Sequence, residues 1–184
     1  MARALTLCGS LRAGSHNEKL RRAMSAKLRE LEVEVEDINL GDYPMPIFNE
    51  DLEAEGTPEA ALALAHKFGE VDAVFIASPE YNSGVAPLMT NTVAWLSRQR
   101  PNPFRHPVFG VGAVSSGKYG GIVGIYQLRD MLMKLNALVV PTLLGVGPAS
   151  SAFDPEDGLA EEGIRRKIDA MARELTQFSR SRSS

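Results

Sequence analysis

Residues 73–77 read Ala-Val-Phe-Ile-Ala, an apolar run with no polar break. A run this short is a strand rather than a helix, and a strand without a polar side must be covered on both faces. That is the situation in the middle of a parallel sheet. Parallel neighbours need long crossover connections, so short strands should alternate with helices along the rest of the chain. They do. Strand-like runs fall at residues 2–8, 33–38, 108–115 and 137–140, separated by stretches of helical period. Leu20, Met24, Leu28 and Leu31 make one buried stripe, and Leu128, Leu132 and Leu135 make another. A third steps through Ile164, Ile168, Met171, Leu175 and Phe178. Thr57 and Pro58 suit the cap and first residue of a helix reaching Phe68.

The second strand differs from the third. Val33-Glu34-Val35-Glu36 alternates apolar and charged residues, so it has a wet face and belongs at the sheet edge, where charge also discourages pairing with another molecule. Five βα units with strand two outermost give the order 2-1-3-4-5. The fold class expected is therefore α/β, a flavodoxin-like doubly wound five-stranded parallel sheet with helices on both faces. Residues 1–178 form one domain on this reading, and the Ser/Arg-rich stretch 179–184 is a disordered tail.

Composition narrows the function. Twenty basic and 23 acidic residues leave a net charge of -3, which provides no overall positive field for nucleic acid or an anionic membrane. Cys8 is the only cysteine, so neither an intrachain disulfide nor a thiol-based metal site can form. No secretory pattern follows Met1, and no window approaches the roughly 20 apolar residues of a membrane span, so a cytoplasmic protein is expected.

On such sheets ligands bind beyond the carboxyl ends of the strands, at the crevice between strands one and three. The loop after strand one, Gly9-Ser10-Leu11-Arg12-Ala13-Gly14-Ser15-His16-Asn17, supplies hydroxyls, an amide and a guanidinium just before a helix. Backbone N–H groups at a helix start favour an anion, and the loop lacks the patterns of an NTPase or a dinucleotide fold, so it suits a single phosphomonoester. Helix capping by Ser15 or Asn17 is the structural alternative. His16 is assigned no role. The loop after strand three, Ser78-Pro79-Glu80-Tyr81-Asn82-Ser83-Gly84, offers backbone donors and acceptors with a flat surface at Tyr81 for a planar heterocycle, or simply a rigid turn. Trp95, on a helix stripe, reads as packing.

Gly9-Ser10-Leu11-Arg12, with Ser15 and Asn17, resembles the first signature of the NADPH-dependent FMN reductase family. Ser78-Pro79-Glu80-Tyr81-Asn82 resembles its second, and Asn91, Trp95, Ser97 and Arg98 its following helix. A third match runs from Ser115-Ser116-Gly117 through Gly120-Gly121 to Gln127-Leu128-Arg129. The resemblance implies FMN as cofactor. Ser10, Arg12, Ser15 and Asn17 would hold its phosphate. Pro79, Glu80, Tyr81 and Asn82 would line the isoalloxazine and ribityl side, while Ser115, Gly117, Gly120 and Gly121 would close the far edge of the ring. It also implies NADPH or NADH as electron donor, a small-molecule acceptor such as a quinone, free flavin, azo compound or metal oxyanion, and a homodimer or homotetramer. A flavodoxin-type electron carrier and a flavin-based redox sensor are the rival readings.

The chain departs from the family pattern at two points. Ser83-Gly84-Val85-Ala86-Pro87 displaces the usual proline, with Thr90 where a lysine is common, and Ile122-Val123-Gly124 stands where relatives often carry Arg-Ala. Loss of that arginine removes a usual device for preferring NADPH over NADH.

Overall fold

The computed structural model describes residues 2–156 and 158–182. Its elements run β1 (Arg3–Cys8), α1 (His16–Glu30), β2 (Glu34–Ile38), α2 (Glu50–Glu55), α3 (Glu59–Gly69) and β3 (Ala73–Ala77). There follow β4 (Glu80–Tyr81), β5 (Gly84–Val85), α4 (Pro87–Ser97), β6 (Val108–Val114), α5 (Ile122–Lys134), β7 (Leu138–Val139), β8 (Leu144–Val146) and α6 (Glu162–Arg182). The parallel sheet has the order β2-β1-β3-β6-β7, with β2 at the edge as its alternating sequence requires.

The last position of the sheet is divided. β7 pairs with the start of β6 at Val108 and Phe109, whereas β8 pairs with its end at Gly112, Ala113 and Val114. Pro141 lies between the two pieces, and a proline cannot donate to a ladder. The apolar run at 137–140 announced the first piece only.

Side chains of β3 alternate between two cores, which is why the whole strand is apolar. Val74 and Ile76 pack under α3, α4 and α5 with Phe68, Trp95 and Phe109. Ala73, Phe75 and Ala77 pack under α1 and α6 with Leu20, Met24, Ile168 and Met171. Phe75 and Ile76 are fully buried, so each core gains roughly 1.5–3 kcal/mol from its share of that pair before entropic costs.

Three boundaries move. Pro58 is the N-cap of α3, with Glu59 its first residue, because its extended backbone precedes the first turn. Asn49 caps the short α2 by accepting from the Asp51 N–H at 2.7 Å, a helix the apolar pattern could not announce because none of its residues is buried. At the carboxyl end, α6 continues through residues assigned to the disordered tail: Ser179 is 2% exposed and donates its hydroxyl to the Thr176 carbonyl. The tail expected at 179–184 is thus helix as far as Arg182, and Ser183 and Ser184 lie outside the described residues.

Register fixes the functional end. Cys8 is beside Ala77, and Ala77 beside Gly112, so the loops after β1, β3 and β6 leave the sheet side by side. Gly9 donates to the Ala77 carbonyl at 2.8 Å and Ser78 to the Gly112 carbonyl at 2.9 Å, extending the ladder one step into each loop.

Candidate functional site

The three loops enclose a cavity of about 520 Å³ beyond the carboxyl ends of β1, β3 and β6. Ser10, Arg12, Ser15, His16 and Asn17 form one wall, Pro79, Glu80 and Tyr81 a second, and Ser115 and Ser116 a third, which Ala149 and Ser150 from the segment after β8 complete. Segments more than a hundred residues apart in sequence thus meet in one hollow. Asn82 and Gly117 directly follow the wall residues Tyr81 and Ser116 in the chain, and Gly120 and Gly121 are not on the walls.

Ser15 is the N-cap of α1, in extended conformation, and its side chain makes no cap hydrogen bond. Its own N–H is spent on the Arg12 carbonyl at 3.1 Å, which curls the loop over the helix start. The first-turn N–H groups have no intrahelical acceptor, so this uncapped end carries unspent donors and the positive pole of the helix dipole. Arg12 adds an exposed guanidinium, and its backbone N–H is steadied by the Ser10 hydroxyl at 3.3 Å. Such a wall suits an anion.

Asn17 has another task. Its amide donates to the Val114 carbonyl at 3.0 Å and accepts from the Val114 N–H at 2.8 Å, and the side chain is buried. Both of its functional groups bond to the end of β6, so the side chain is a strut joining α1 to the third loop, while the residue stays on the cavity wall. His16, given no role by sequence, does stand on the wall. Its ring stacks on Phe153 with centroids 5.9 Å apart, and its Nδ1 is the one buried side-chain polar atom without a partner among the described residues. Orphans of that kind are rare in finished structures and point to a missing partner.

The second loop is a miniature hairpin, β4 with β5, turned by Asn82 and Ser83 at φ of 52° and 57°. Tight hairpins require such left-handed residues, and asparagine tolerates them. The Glu80 carboxylate points away from solvent to accept the Gly124 N–H at 2.8 Å in the first turn of α5, and Gln127 donates back to the Ser83 carbonyl at 2.9 Å. Glu80 therefore locks the second loop to the third. Tyr81 remains half exposed beside the cavity.

In the third loop the glycines answer to protein rather than ligand. A Cβ on Gly120, whose φ is 60°, would lie 2.2 Å from the Val146 nitrogen, and one on Gly121 would lie 2.9 Å from the Ala113 Cβ. Of the glycines expected at the ring edge, Gly117 keeps an open side, with only the Ser115 hydroxyl within 4 Å, at 3.8 Å. β8, unseen in the sequence, runs against this loop at Gly120.

The α4 motif is a clamp. Asn91 accepts from the Phe48 N–H at 2.8 Å and donates to the Pro46 carbonyl at 2.9 Å, and the Trp95 indole donates to the same carbonyl at 2.8 Å. Arg98 covers the Phe48 ring at 4.8 Å. Trp95 itself is fully buried, as its packing role requires.

Beneath the first loop, Arg21 is nearly buried and holds five acceptor atoms. Nε and Nη2 donate to Glu18 at 2.8 and 2.7 Å, and Nη1 donates to Asp37 Oδ1 at 2.5 Å, to Thr6 at 2.9 Å and to Ser25 at 3.2 Å. Burial alone would raise the Asp37 carboxyl, but hydrogen bonds from Ser25, Arg29 and Thr6 and the Arg21 charge bring it down to about 2. Cys8 goes the other way. Burial pushes its thiol up to about 11, so it is a neutral buried group rather than a nucleophile. No group of metal-ligating side chains occurs among the described residues.

Residues 2–150 match the family model described as NADPH-dependent FMN reductase. The chain belongs to that family. Among relatives of the NADPH-dependent FMN reductases, it is 30% identical over 181 residues to the NAD(P)H-dependent FMN reductase of Pseudomonas aeruginosa, covering 97% of this chain and 95% of the relative. It is 32% identical over 179 residues to the quinone reductase of Escherichia coli, covering 95% and 92%. The flavoenzyme NAD(P)H:acceptor oxidoreductase of Paracoccus denitrificans has the same fold, with a TM-score of 0.84 at 23% identity and 99% coverage of both chains. Within the family pattern, the departures of this chain now have reasons. Pro87 opens α4 at its first position, where a missing N–H costs nothing. Gly124 lets Glu80 approach, since a Cβ there would stand 3.2 Å from the Glu80 Cβ.

Proposed function

We propose that the cavity is the FMN site of an NAD(P)H-dependent oxidoreductase, with the phosphate against the start of α1 and the ring system against the β4–β5 hairpin. The observation that carries this reading is the uncapped, arginine-flanked α1 terminus facing the same hollow as the Pro79–Tyr81 wall. The residues present fit the group. An anion supplies the acceptor that the α1 N–H groups lack, and a cavity of about 520 Å³ lies in the range of small-molecule sites.

Ser10, Arg12 and Ser15 hold the phosphate, by hydroxyl and charge-assisted hydrogen bonds. Asn17 fixes the distance between that wall and β6. Pro79, Glu80, Tyr81 and Asn82 present backbone groups along the hairpin, and the Glu80 bond to Gly124 keeps that edge rigid. Ser115 and Gly117 bound the opposite edge, with Gly120 and Gly121 shaping the backbone behind them. Bound FMN supplies the redox chemistry, accepting hydride from reduced nicotinamide and delivering electrons to an oxidised small molecule. The protein orients the ring, excludes water on the hairpin side and leaves the opposite side open for donor and acceptor in turn. No side-chain acid or base is needed.

The acceptor is a quinone, a free flavin or a similar small molecule, in keeping with the quinone reductase and FMN reductase relatives. No described helix is long and apolar enough to cross a membrane, which accords with a cytoplasmic enzyme. Exposed Ile47, Tyr81 and Tyr119 offer apolar surface that a homodimer or homotetramer would cover. The test is anaerobic: FMN-loaded protein is mixed with NADH, then separately with NADPH, and the visible flavin band is followed. Bleaching and recovery on adding quinone are expected; a band that neither donor bleaches overturns the reading.

A further inference from the structure

Ser15-His16-Asn17-Glu18 has the S-x-x-E pattern of a capping box, in which the serine hydroxyl takes the N–H of the fourth residue and the glutamate takes the N–H of the first. The structure leaves this box unmade. Ser15 gives no side-chain cap and its N–H goes to Arg12. Glu18 turns instead to Arg21, which grips both carboxylate oxygens, and to Arg22, whose Nε donates to Oε1 at 3.0 Å. Arg21 is in turn fixed from below by Asp37, Thr6 and Ser25. The chain therefore spends a nearly buried guanidinium and part of a second one on keeping one carboxylate away from its own helix terminus.

Placement gives this a purpose. Glu18 is in the first turn of α1, the turn whose start lines the cavity, and a free carboxylate there is the natural competitor of an incoming anion. It would repel the anion by charge and could satisfy the same N–H donors. We infer that Arg21, assisted by Arg22, is a positioning residue that withholds Glu18 from the α1 terminus and so keeps that terminus open for the cofactor phosphate. The inference rests on the phosphate reading given above. Burial by itself would raise the Glu18 carboxyl, yet the Arg21 bonds and charge, followed by those of Arg22, hold it below its ordinary value, so the carboxylate is charged and needs restraint.

The test compares FMN with riboflavin, which has the same ring system and no phosphate, by fluorescence titration of the full chain. Four proteins are used: the parent, Arg21→Met, Glu18→Gln, and the double variant. Thermal midpoints are recorded for all. Arg21→Met should weaken FMN about tenfold or more and riboflavin less than about twofold, and adding Glu18→Gln should bring FMN back to within about threefold of the parent. Equal losses for FMN and riboflavin, or no rescue in the double variant, would overturn the inference. Should Arg21→Met fail to fold, Arg22→Ala serves, because Arg22 is mostly exposed; a phosphate-specific loss of about twofold that Glu18→Gln removes is expected, and an unchanged FMN affinity counts against the idea. Failure of the phosphate reading looks different: the parent itself would bind FMN and riboflavin equally, and Arg12→Ala would alter neither.

Discussion

Two hollows lie at opposite ends of the same sheet, and the larger is not the candidate site. The one before β3 and β6, lined by Leu62, His66, Glu70, Arg100, Pro101 and His106, has about 1040 Å³, twice the volume of the cavity beyond β1, β3 and β6. It is richer in arginine and histidine, with two of each against one of each. The difference is in what the backbone leaves unspent. At the far hollow α3 has already ended, so the helix presents its negative pole, and Arg100 turns its guanidinium to the Ser97 and Gln99 carbonyls. At the smaller one a helix begins without a cap, a buried imidazole nitrogen lacks a partner, and three loops converge at the topological switch point. Volume reports where chain is absent. Unspent donors report where something else belongs.

Glycines offer the hardest way to break this contrast. Gly120→Ala forces a Cβ to within 2.2 Å of backbone at positive φ, so a loss of roughly 3 kcal/mol in chemical denaturation is expected, with FMN binding lost beside it. Gly69→Ala, in the far hollow, meets nothing within 4 Å at the end of α3 and should be neutral or gain roughly 0.5–1 kcal/mol. Arginines come next. Arg12→Ala should remove roughly 1.5–3 kcal/mol of FMN binding, a ten- to hundredfold rise in Kd, while Arg100→Ala leaves the titration unchanged. Both hollows also hold a bridging asparagine. Asn17→Ala strands the Val114 N–H and carbonyl and should cost roughly 2 kcal/mol, and Asn102→Ala, which frees the Leu135 carbonyl and Phe104 N–H, somewhat less. Only the first should also weaken FMN.

The smallest effect is acid sensitivity. The Asp37 carboxyl is depressed from 3.8 to about 2, so its contribution is complete above the ordinary value and is lost as pH falls through the folded one. With its side chain partly exposed, screening leaves on the order of 1 kcal/mol. Denaturation midpoints between pH 5 and pH 2 should therefore fall less steeply in Asp37→Asn than in the parent.

The sheet was legible because each strand carries its environment in its own residues: β3 is apolar on both sides, and β2 alternates. The three loops were legible for a similar reason, since strand ends followed by Ser, Asn, Gly and Arg leave few other tasks. What the sequence hid was set by partners distant in the chain. Nothing local to Asn17 says that Val114 takes both halves of its amide. Glu80 stands on the cavity wall, and the acceptor role of its side chain depends on α5 arriving with Gly124. Gly120 answers to β8, whose three residues include a glycine and follow a proline, too weak a strand signal to read, and Gly121 answers to Ala113 of β6. The capping that Ser15 offered as an alternative is not made by its side chain, and Glu18 is held instead by Arg21 from the next turn.

The central claim is that the cofactor phosphate sits at the start of α1 and the ring system against the β4–β5 hairpin. A crystal structure of the chain soaked with FMN measures this directly. The expected result is phosphate oxygens hydrogen-bonded to the α1 N–H groups and to Ser10, Arg12 or Ser15, with the ring beside Pro79–Tyr81. Flavin density in the hollow beside Pro101 and His106, or ordered FMN with its phosphate away from α1, would contradict it.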